Sequence, residues 1–393
     1  MLAAQNVVLS LVSLCLIVTT YSDVSDDITN GSLWCTRGHY PGLFCHATNA
    51  ILNHTSRTFV VSTSDSLPQE SEQTFRVWPV VATPLTRPPV CDRKFKESIL
   101  FTFFYWFGHS NYFHLHYDTL LPVYSYLREK RVGSNGAIDV TLMPTVETSR
   151  LNVMDWDTDA FHDKNSGKYF VLVHKALAGD EFDLVPADSR LFEKNPTGFT
   201  CFETVHFGAP RVSFPDMTLV NDFTNLIRKR FGLTQSSLPK SRRVGLITRT
   251  TRRRVLNEKE LIDAIKPMVE AEQIEFTGMT YEQQVNAVQR FTVLVGMNGA
   301  GLMNAIYLPE GAVAVQLAPF NATQLNIDEF GRVLKSRGPY LEWRNSHPEL
   351  NHCNRERDPY NSQADTVVKV DEFKDIIQEA LNIGINRKLH EEL

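Results

Sequence analysis

The stretch VGMNGAGLMNAIYLPEGAVAVQLAP, Val295–Pro319, sets Gly-Ala-Gly between two apolar runs and places one polar residue, Asn298, just before the turn. Gly299 and Gly301 permit close backbone approach, and the apolar run from Phe291 to Val295 reads as a buried strand feeding a helix. Such a junction points free N–H groups and a positive dipole end at whatever lies above it, which favours an anion. A tight strand-to-helix turn with no ligand explains the same G-x-G, so the reading needs support from elsewhere in the chain.

The sequence around it has a regular grammar. Val244–Thr248 reads as a strand, and Asn257 opens a helix with Glu260 three residues on, an N-cap pattern. Gln273–Phe276 is the next strand, and Thr280 with Gln283 forms a capping box before YEQQVNAVQRF. After the glycine turn the pattern predicts a helix through Leu308, a strand over Ala312–Leu317, a helix near Asp328–Lys335 and a strand over Tyr340–Trp343. Strands alternating with helices imply an α/β unit with a parallel sheet, whose ligands gather beyond the carboxyl ends of the strands. That rule puts Thr248–Arg254 and Asn298–Gly301 on one rim. Arg249, Arg252, Arg253 and Arg254 directly follow the strand, and guanidinium groups suit phosphate oxygens through paired hydrogen bonds. A solvated basic face is the plainer explanation of four arginines; their place beside a glycine turn favours a bound diphosphate.

Upstream, GLTQSSLPKSRR contains Pro239 and reads as a linker between two domains. Before it, Val220–Phe231 is an amphipathic helix, and Leu100–Phe107, Ala137–Met143, Phe170–His174 and Phe202–Phe207 read as strands. Residues 23 to about 90 look polar and irregular. The segment GHSNYFHLHYDTLLPVYSYL follows the aromatic strand. A helix starting near Ser110 puts Asn111, His114 and Asp118 on one face, and Pro122 predicts a kink at the turn of Asp118. A histidine, a carboxylate and an amide on one stripe can take a proton from an attacking hydroxyl, although histidines satisfied in a core are commoner than catalytic ones. His116 lies off the stripe and reads as structural.

The ends of the chain bear on its compartment. Val7–Thr20 is short for a membrane span and is followed by small residues, so 1–22 reads as a signal peptide cleaved near Ser22, with an uncleaved signal anchor and a Golgi location as the alternative. The last residues, His390-Glu391-Glu392-Leu393, are close to the His-Asp-Glu-Leu retrieval signal, which implies a retrieval receptor and residence in the lumen of the endoplasmic reticulum. Glycosylation sequons at Asn30, Asn53 and Asn321 agree with that location. With 393 residues and 42% hydrophobic content the chain can bury one large core or two medium ones, and a net charge of −5 gives no case for nucleic acid. Without Cys15, which leaves with the signal, Cys35, Cys45, Cys91, Cys201 and Cys353 remain, predicting one or two disulfides, Cys35 with Cys45 the easiest, and at least one free thiol.

Four segments together resemble glycosyltransferase family 61. VGMNGAGLMNAIYLPEGAV is similar to its V-G-x-H-G-A-G-L-x-N-x-x-F-L-P-x-G-A segment, and TRTTRRRVLNEKEL to its S-R-x-x-x-R-R-x-L-N-E-x-E-L segment. CFETVHFGAP resembles its C-F-x-x-x-x-x-G stretch, and SNYFHLHYDTLLPVY its N-x-x-H-x-x-x-D-x-L-L-P stretch. They cover roughly residues 100 to 320 in the family's order, with one departure: Asn298 stands where the family usually has His. The resemblance implies a GT-B architecture, two Rossmann-like domains with a cleft between them, divided here into an acceptor-side domain over 23–235 and a nucleotide-sugar-binding domain over 236–389. It implies an inverting transfer without an obligatory metal or cofactor, from a UDP-sugar carrying GlcNAc or xylose to a glycoprotein or glycan. By position, Arg249, Arg253, Arg254, Asn298, Gly299, Ala300 and Gly301 bind the donor. Asn111, His114 and Asp118 face the acceptor, with Asp118 the base and His114 orienting or replacing it.

Two other readings stand beside this one. Asp155, Asp157 and Asp159 in MDWDTDAF have the D-x-D-x-D spacing that holds a metal against a nucleotide diphosphate in a GT-A fold, although a solvated acidic loop explains them more simply. Asn298 in place of His fits an inactive lumenal lectin or chaperone on the same fold.

Overall fold

The computed structural model describes residues 31–38, 42–56, 58–63, 80–85, 89–104, 111–133, 140–148, 153–155, 198–233, 238–323, 325, 327–353 and 360–391. The signal segment, Asn30, Asp157, Asp159, the strand expected over Phe170–His174, and Glu392 and Leu393 lie outside them. The fold is α/β with two principal sheets.

The second sheet has the expected grammar. Strands β9 (Arg243–Ile247), β10 (Glu270–Ile274), β11 (Val293–Met297), β12 (Val313–Ala318) and β13 (Tyr340–Arg344) pair in parallel in the order β10-β9-β11-β12-β13. Every residue of β11 and β12 is buried, as their unbroken apolar runs require of a sheet covered on both faces. One face carries the α-helix over Glu258–Ile265 and the long helix over Val370–Glu391, through Leu261, Ile265, Phe373 and Ile377. The other carries helices over Tyr281–Val288 and Ile327–Lys335 and the segment that follows the glycine turn. That segment, Ala300–Tyr307, is a 3₁₀ helix and not the α-helix expected. The capping box at Thr280 and Gln283 is formed on both sides. Asn257 does not cap its helix with its side chain; its amide nitrogen donates to the Val368 carbonyl at 2.8 Å and to Glu260 at 3.1 Å, tying that helix to the chain's last strand connection.

The first sheet departs from a second Rossmann-like unit. Strands β1 (Leu33–Arg37), β2 (Leu43–Asn53), β3 (Thr58–Val61), β4 (Val80–Ala82), β5 (Arg93–Phe104), β6 (Thr141–Thr148), β7 (Val153–Asp155) and β8 (Phe199–Phe207) form a mixed sheet of order β4-β3-β2-β8-β5-β6-β7, with β1 on β2. Four of these strands fall in the region that reads as irregular. β2 hides its pattern because LFCHATNAILN is central in the sheet and buries the adjacent pair Phe44-Cys45 and the run Ala50-Ile51-Leu52, with His46 and Thr48 half-buried between them, so it shows no clean alternation. The strand expected over Ala137–Met143 runs later, over Thr141–Thr148. Cys35 pairs with Cys45 as expected, Cys91 with Cys201, and Cys353 is free.

Two helices lie between the sheets. The helix over 112–133, here α1, and the helix Met217–Arg230, α2, whose Asp216 caps the Leu219 N–H at 2.9 Å, share one apolar cluster with both halves of the chain. Phe44, Ile99 and Phe101 of the first sheet join Phe113, Leu120 and Phe223 of these helices, and through them Ile247, Leu302, Tyr307 and Phe330 of the second unit. Arg228 of α2 reaches the Tyr307 and Leu308 carbonyls, both at 2.5 Å. No helix among the described residues is long and apolar enough to cross a membrane.

Candidate active site

The order of the parallel sheet reverses between β9 and β11, the place where open α/β sheets leave a crevice for ligands. The loops leaving these two neighbouring strands carry Thr248–Arg254 and Asn298–Gly301. The base of the first loop is fixed from below: Glu258 accepts from the Thr248 hydroxyl and from Gln273, both at 2.7 Å, and burial pushes its carboxyl up from the usual range. Arg249 then turns back, its Nε donating to the Arg252 carbonyl at 2.9 Å, and lays its guanidinium against Gly299. A Cβ at Gly299 would stand 2.0 Å from Arg249 Nη1, so the glycine is what lets the cation rest on the turn. Burial and the charge of Arg252 hold the Arg249 guanidinium below its usual range. Among the described residues no carboxylate forms an ion pair with it.

Arg253 adopts a left-handed backbone, φ 52°, and its Nη1 donates to Asn298 Oδ1 at 3.3 Å. Asn298 is buried; its N–H donates to the Leu317 carbonyl at 2.7 Å and its amide nitrogen to Gln316 at 3.4 Å. The structure thus brings Arg249, Arg253, Asn298 and Gly299 together, with Ala300 and Gly301 opening the 3₁₀ helix. Arg254 is turned elsewhere: its N–H, Nε and Nη2 all donate to Asp365, at 2.8, 2.9 and 2.6 Å.

The other constellation stands on α1. Asn111 is spent as the helix N-cap, its Oδ1 accepting the Phe113 N–H at 3.1 Å. His114 Nδ1 and Asp118 Oδ2 lie 2.5 Å apart, a partly exposed pair one turn apart on one face. In place of a simple kink at Pro122, Leu115–Leu120 form a π turn, closed by the Leu121 N–H on the His116 carbonyl. Proline removes one donor from the ladder, and a wider turn just before it is one way a helix absorbs that loss; such turns are frequent at functional sites. His116 is structural, as its place off the stripe predicts. It is fully buried, Nδ1 donates to the Tyr112 carbonyl at 2.6 Å, and Nε2 is therefore the acceptor facing the Tyr281 and Tyr307 hydroxyls, at 3.1 and 2.8 Å, which also hydrogen-bond to each other, so one of the two donates to it. Burial pushes its pKa down to about 4.

That clamp decides where the pair sits. Tyr281 and Tyr307 belong to the second unit, and Tyr307 ends the 3₁₀ helix that begins at the glycine turn. Phe113, beside His114, stacks on Phe330 with centroids 3.8 Å apart. The helix that carries His114 and Asp118 is therefore packed against the segment that follows the glycine turn of the second unit. Sequence reasoning did not single out Glu258, Gln316, Tyr281, Tyr307 or Asp365 as supports of this arrangement; each acts through a contact more than eight residues distant in the chain, which no local pattern announces. Asp155 closes β7, and no three His, Cys, Asp or Glu side chains among the described residues gather as a metal site would need. Of the sequons, Asn53 stands at the end of β2 with its Oδ1 accepting from the Thr55 and Ser56 N–H groups, and Asn321 is exposed in a turn with φ 47°.

Comparison with known proteins identifies the family of the sequence. The sequence model described as Glycosyltransferase 61 matches residues 112–315, more than half of the chain and the span from α1 to β12. The chain is 30% identical over 126 residues to protein O-linked-mannose beta-1,4-N-acetylglucosaminyltransferase 2 of Takifugu rubripes, a match covering 30% of this chain and 21% of that protein. It is 24% identical over 209 residues to the EGF domain-specific O-linked N-acetylglucosamine transferase of Gallus gallus, covering 49% of this chain and 37% of the relative. The matched part thus spans well under half the length of either relative. Among solved structures, the iron-containing dodecameric glycosyltransferase TibC of enterotoxigenic E. coli aligns over 92% of this chain and 96% of its own, at 12% identity and a TM-score of 0.31.

Proposed function

The chain belongs to glycosyltransferase family 61, and we propose that it transfers GlcNAc or xylose from a UDP-sugar to a hydroxyl of a glycoprotein or glycan, with inversion and without a required metal. The observation that carries this reading is the Arg249 guanidinium, partly buried on the side-chain-free face of Gly299 with no described carboxylate as its partner. A partly buried cation with no ion-pair partner among the described residues, beside backbone N–H groups at the switch point of a parallel sheet, suits the diphosphate of a nucleotide sugar. Arg253, tethered through Asn298, adds a second positive group. The relatives' names, which speak of N-acetylglucosaminyl transfer, favour GlcNAc as the first donor to try.

The chemistry divides between the two constellations. As an acceptor hydroxyl attacks the sugar carbon from the face opposite UDP, its proton passes to Asp118, which His114 holds in place. Negative charge builds on the leaving diphosphate, where Arg249, Arg253 and the turn's N–H groups meet it. The two sheets with α1 and α2 between them are our candidate for a GT-B arrangement whose cleft lies between the switch-point rim and the His114–Asp118 face. The lumen of the endoplasmic reticulum, with a cleaved signal and a retrieval receptor reading the C-terminus, is the location we propose.

A screen of UDP-GlcNAc and UDP-xylose against the purified lumenal chain tests the reading. Saturable binding, with UDP released and sugar transferred to an acceptor glycoprotein in the presence of EDTA, is the expected result. Asn298, satisfied by Arg253 and Gln316 in a place where the family usually has His, keeps the inactive lectin as a second reading. Glycan binding with no UDP-sugar binding and no release of UDP would establish the lectin instead.

A further inference from the structure

Away from the glycine turn, a cavity of about 470 Å³ is lined by Arg37, Arg211 and Arg332 together with Gly38, Tyr117 and Phe214. The arginines come from three parts of the chain: the end of β1, the stretch after β8, and the helix Ile327–Lys335. Gly38 forms an antiparallel bridge with Pro210, so Arg37 and Arg211, one residue to either side, face each other across that bridge. Like charges set opposite on paired strands repel. Several other described arginines meet carboxylates: Arg128 with Asp222, Arg243 with Glu270, Arg254 with Asp365, Arg290 with Glu272 and Arg344 with Asp328. Among the described residues none of the three cavity arginines has such a partner.

One side of the cavity wall is built of stacked rings and adjoins the His114–Asp118 pair. Tyr117 directly precedes Asp118, and its ring stacks on Phe113 at 5.0 Å and on Phe214 at 5.5 Å. Phe113 in turn stacks on Phe330, two residues before Arg332. The charges of Asp118 and Glu329 act on the Tyr117 hydroxyl along with those of Arg332 and Arg211, which marks Tyr117 as the border between the proton-accepting pair and the basic cavity.

We propose that this cavity is an acceptor subsite for an acidic sugar, binding its carboxylate, sulfate or phosphate oxygens through Arg37, Arg211 and Arg332 while a hydroxyl of the same glycan is presented to Asp118. The proposal rests on the transferase reading above and names the acceptor class for that site. Three guanidiniums converging on one oxyanion supply paired, charge-assisted hydrogen bonds from several directions. The compact volume suits one sugar unit, in the usual range for small-molecule sites, better than an extended peptide, which needs a groove.

Calorimetric titration of the full lumenal chain with glucuronate, glucose 6-sulfate and glucose 6-phosphate, against glucose as the neutral control, tests it. At least one anionic sugar should bind at least about tenfold more tightly than glucose, and Arg211→Ala and Arg332→Ala should each weaken it about tenfold, the effect of one lost charge-assisted contact. Both side chains are exposed, so the variants should fold, and their affinity for UDP should match the parent's. Equal binding of all four sugars would overturn the proposal, as would an anionic sugar lost in Arg249→Ala but kept in Arg211→Ala, or tighter binding of a glutamate-rich peptide. UDP titration of the same samples reports separately on the transferase reading: UDP binding without preference for acidic sugars sinks the subsite alone.

Discussion

The parallel sheet and the mixed sheet contribute to the candidate site in different ways. In the second unit the site is made by topology: β9 and β11 are neighbours, the strand order reverses between them, and their two loops therefore leave the sheet side by side. In the first, the His114–Asp118 pair stands on α1, a helix held in place by Tyr112, Phe113 and His116 buried against the other half as well as by its own sheet. In our reading one region offers backbone and guanidinium groups to an anion, and the other offers a proton acceptor at the end of a clamp. The difference teaches that donor binding and turnover should come apart under mutation.

The largest effect should fall on the helix. Asp118→Asn keeps the shape and a hydrogen bond to His114 while removing the basic oxygen, so turnover should drop about 10²–10⁴-fold, the range of a lost general base, with UDP-sugar affinity near that of the parent. Steady-state kinetics beside a UDP titration checks this. Unchanged turnover in a folded Asp118→Asn protein would take Asp118 out of the mechanism, and a greater loss in His114→Ala than in Asp118→Asn would make the histidine the base.

The same contrast explains what the sequence could tell. The second unit was legible because its signals are local and periodic: a capping box at Thr280, fully buried runs at β11 and β12, and a glycine turn between them. Even there the short 3₁₀ segment over Ala300–Tyr307 carries an apolar pattern that an α-helix would share. The first sheet was legible only in part, since β1, β3 and β4 are strands of three to five residues, too short to show a period, and β2 mixes His, Thr and Asn with its apolar residues and pairs with a partner as distant as β8. The shared face of His114 and Asp118 followed from spacing, but the capture of Arg254 by Asp365, 111 residues away, did not. Charge clusters show in a sequence; the partner that claims each charge does not.

A second effect concerns the clamp that joins the regions. The pKa of His116 falls from an ordinary 6.5 to about 4 in the folded chain, because burial disfavours its charged form. Between those values the unfolded chain binds a proton that the folded one refuses, so stability is whole above about pH 6.5 and declines as pH falls toward 4. Over that window the loss amounts to about 3 kcal/mol from this one group. His46 and His206, both lowered mainly by burial, add loss in the same direction. Thermal unfolding at pH 7 and pH 4.5 should therefore show a lower Tm in acid, with a smaller pH dependence in His116→Gln, which can still donate to the Tyr112 carbonyl and accept from a tyrosine. Identical pH profiles for parent and variant would show that the regions are not coupled through this histidine.

The smallest effect separates arginines and glycines that look alike in the sequence. Arg249 and Arg254 both follow β9, yet Arg249 lies on the glycine turn and Arg254 is bound to Asp365 in an exposed pair. Removing a charge-assisted contact to the diphosphate costs about 1.5–3 kcal/mol, roughly tenfold or more in affinity, whereas an exposed ion pair contributes about 0–1 kcal/mol to stability and touches no ligand. Arg249→Ala should weaken UDP binding about tenfold or more, and Arg254→Ala by less than about threefold. The glycines divide in the same way. A methyl at Gly299 meets Arg249 Nη1 at 2.0 Å and must push that guanidinium aside, while a methyl at Gly301 meets Ile247 and Phe276 at 3.5 Å, an ordinary contact. Because the atom in the way is the end of a flexible side chain, Gly299→Ala should fold with nearly the parent's Tm and still lose most of what Arg249→Ala loses. Gly301→Ala should bind UDP as the parent does. Calorimetry on the four variants decides: equal affinities for Gly299→Ala and Gly301→Ala, or a greater loss in Arg254→Ala than in Arg249→Ala, would move the diphosphate off the switch point between β9 and β11.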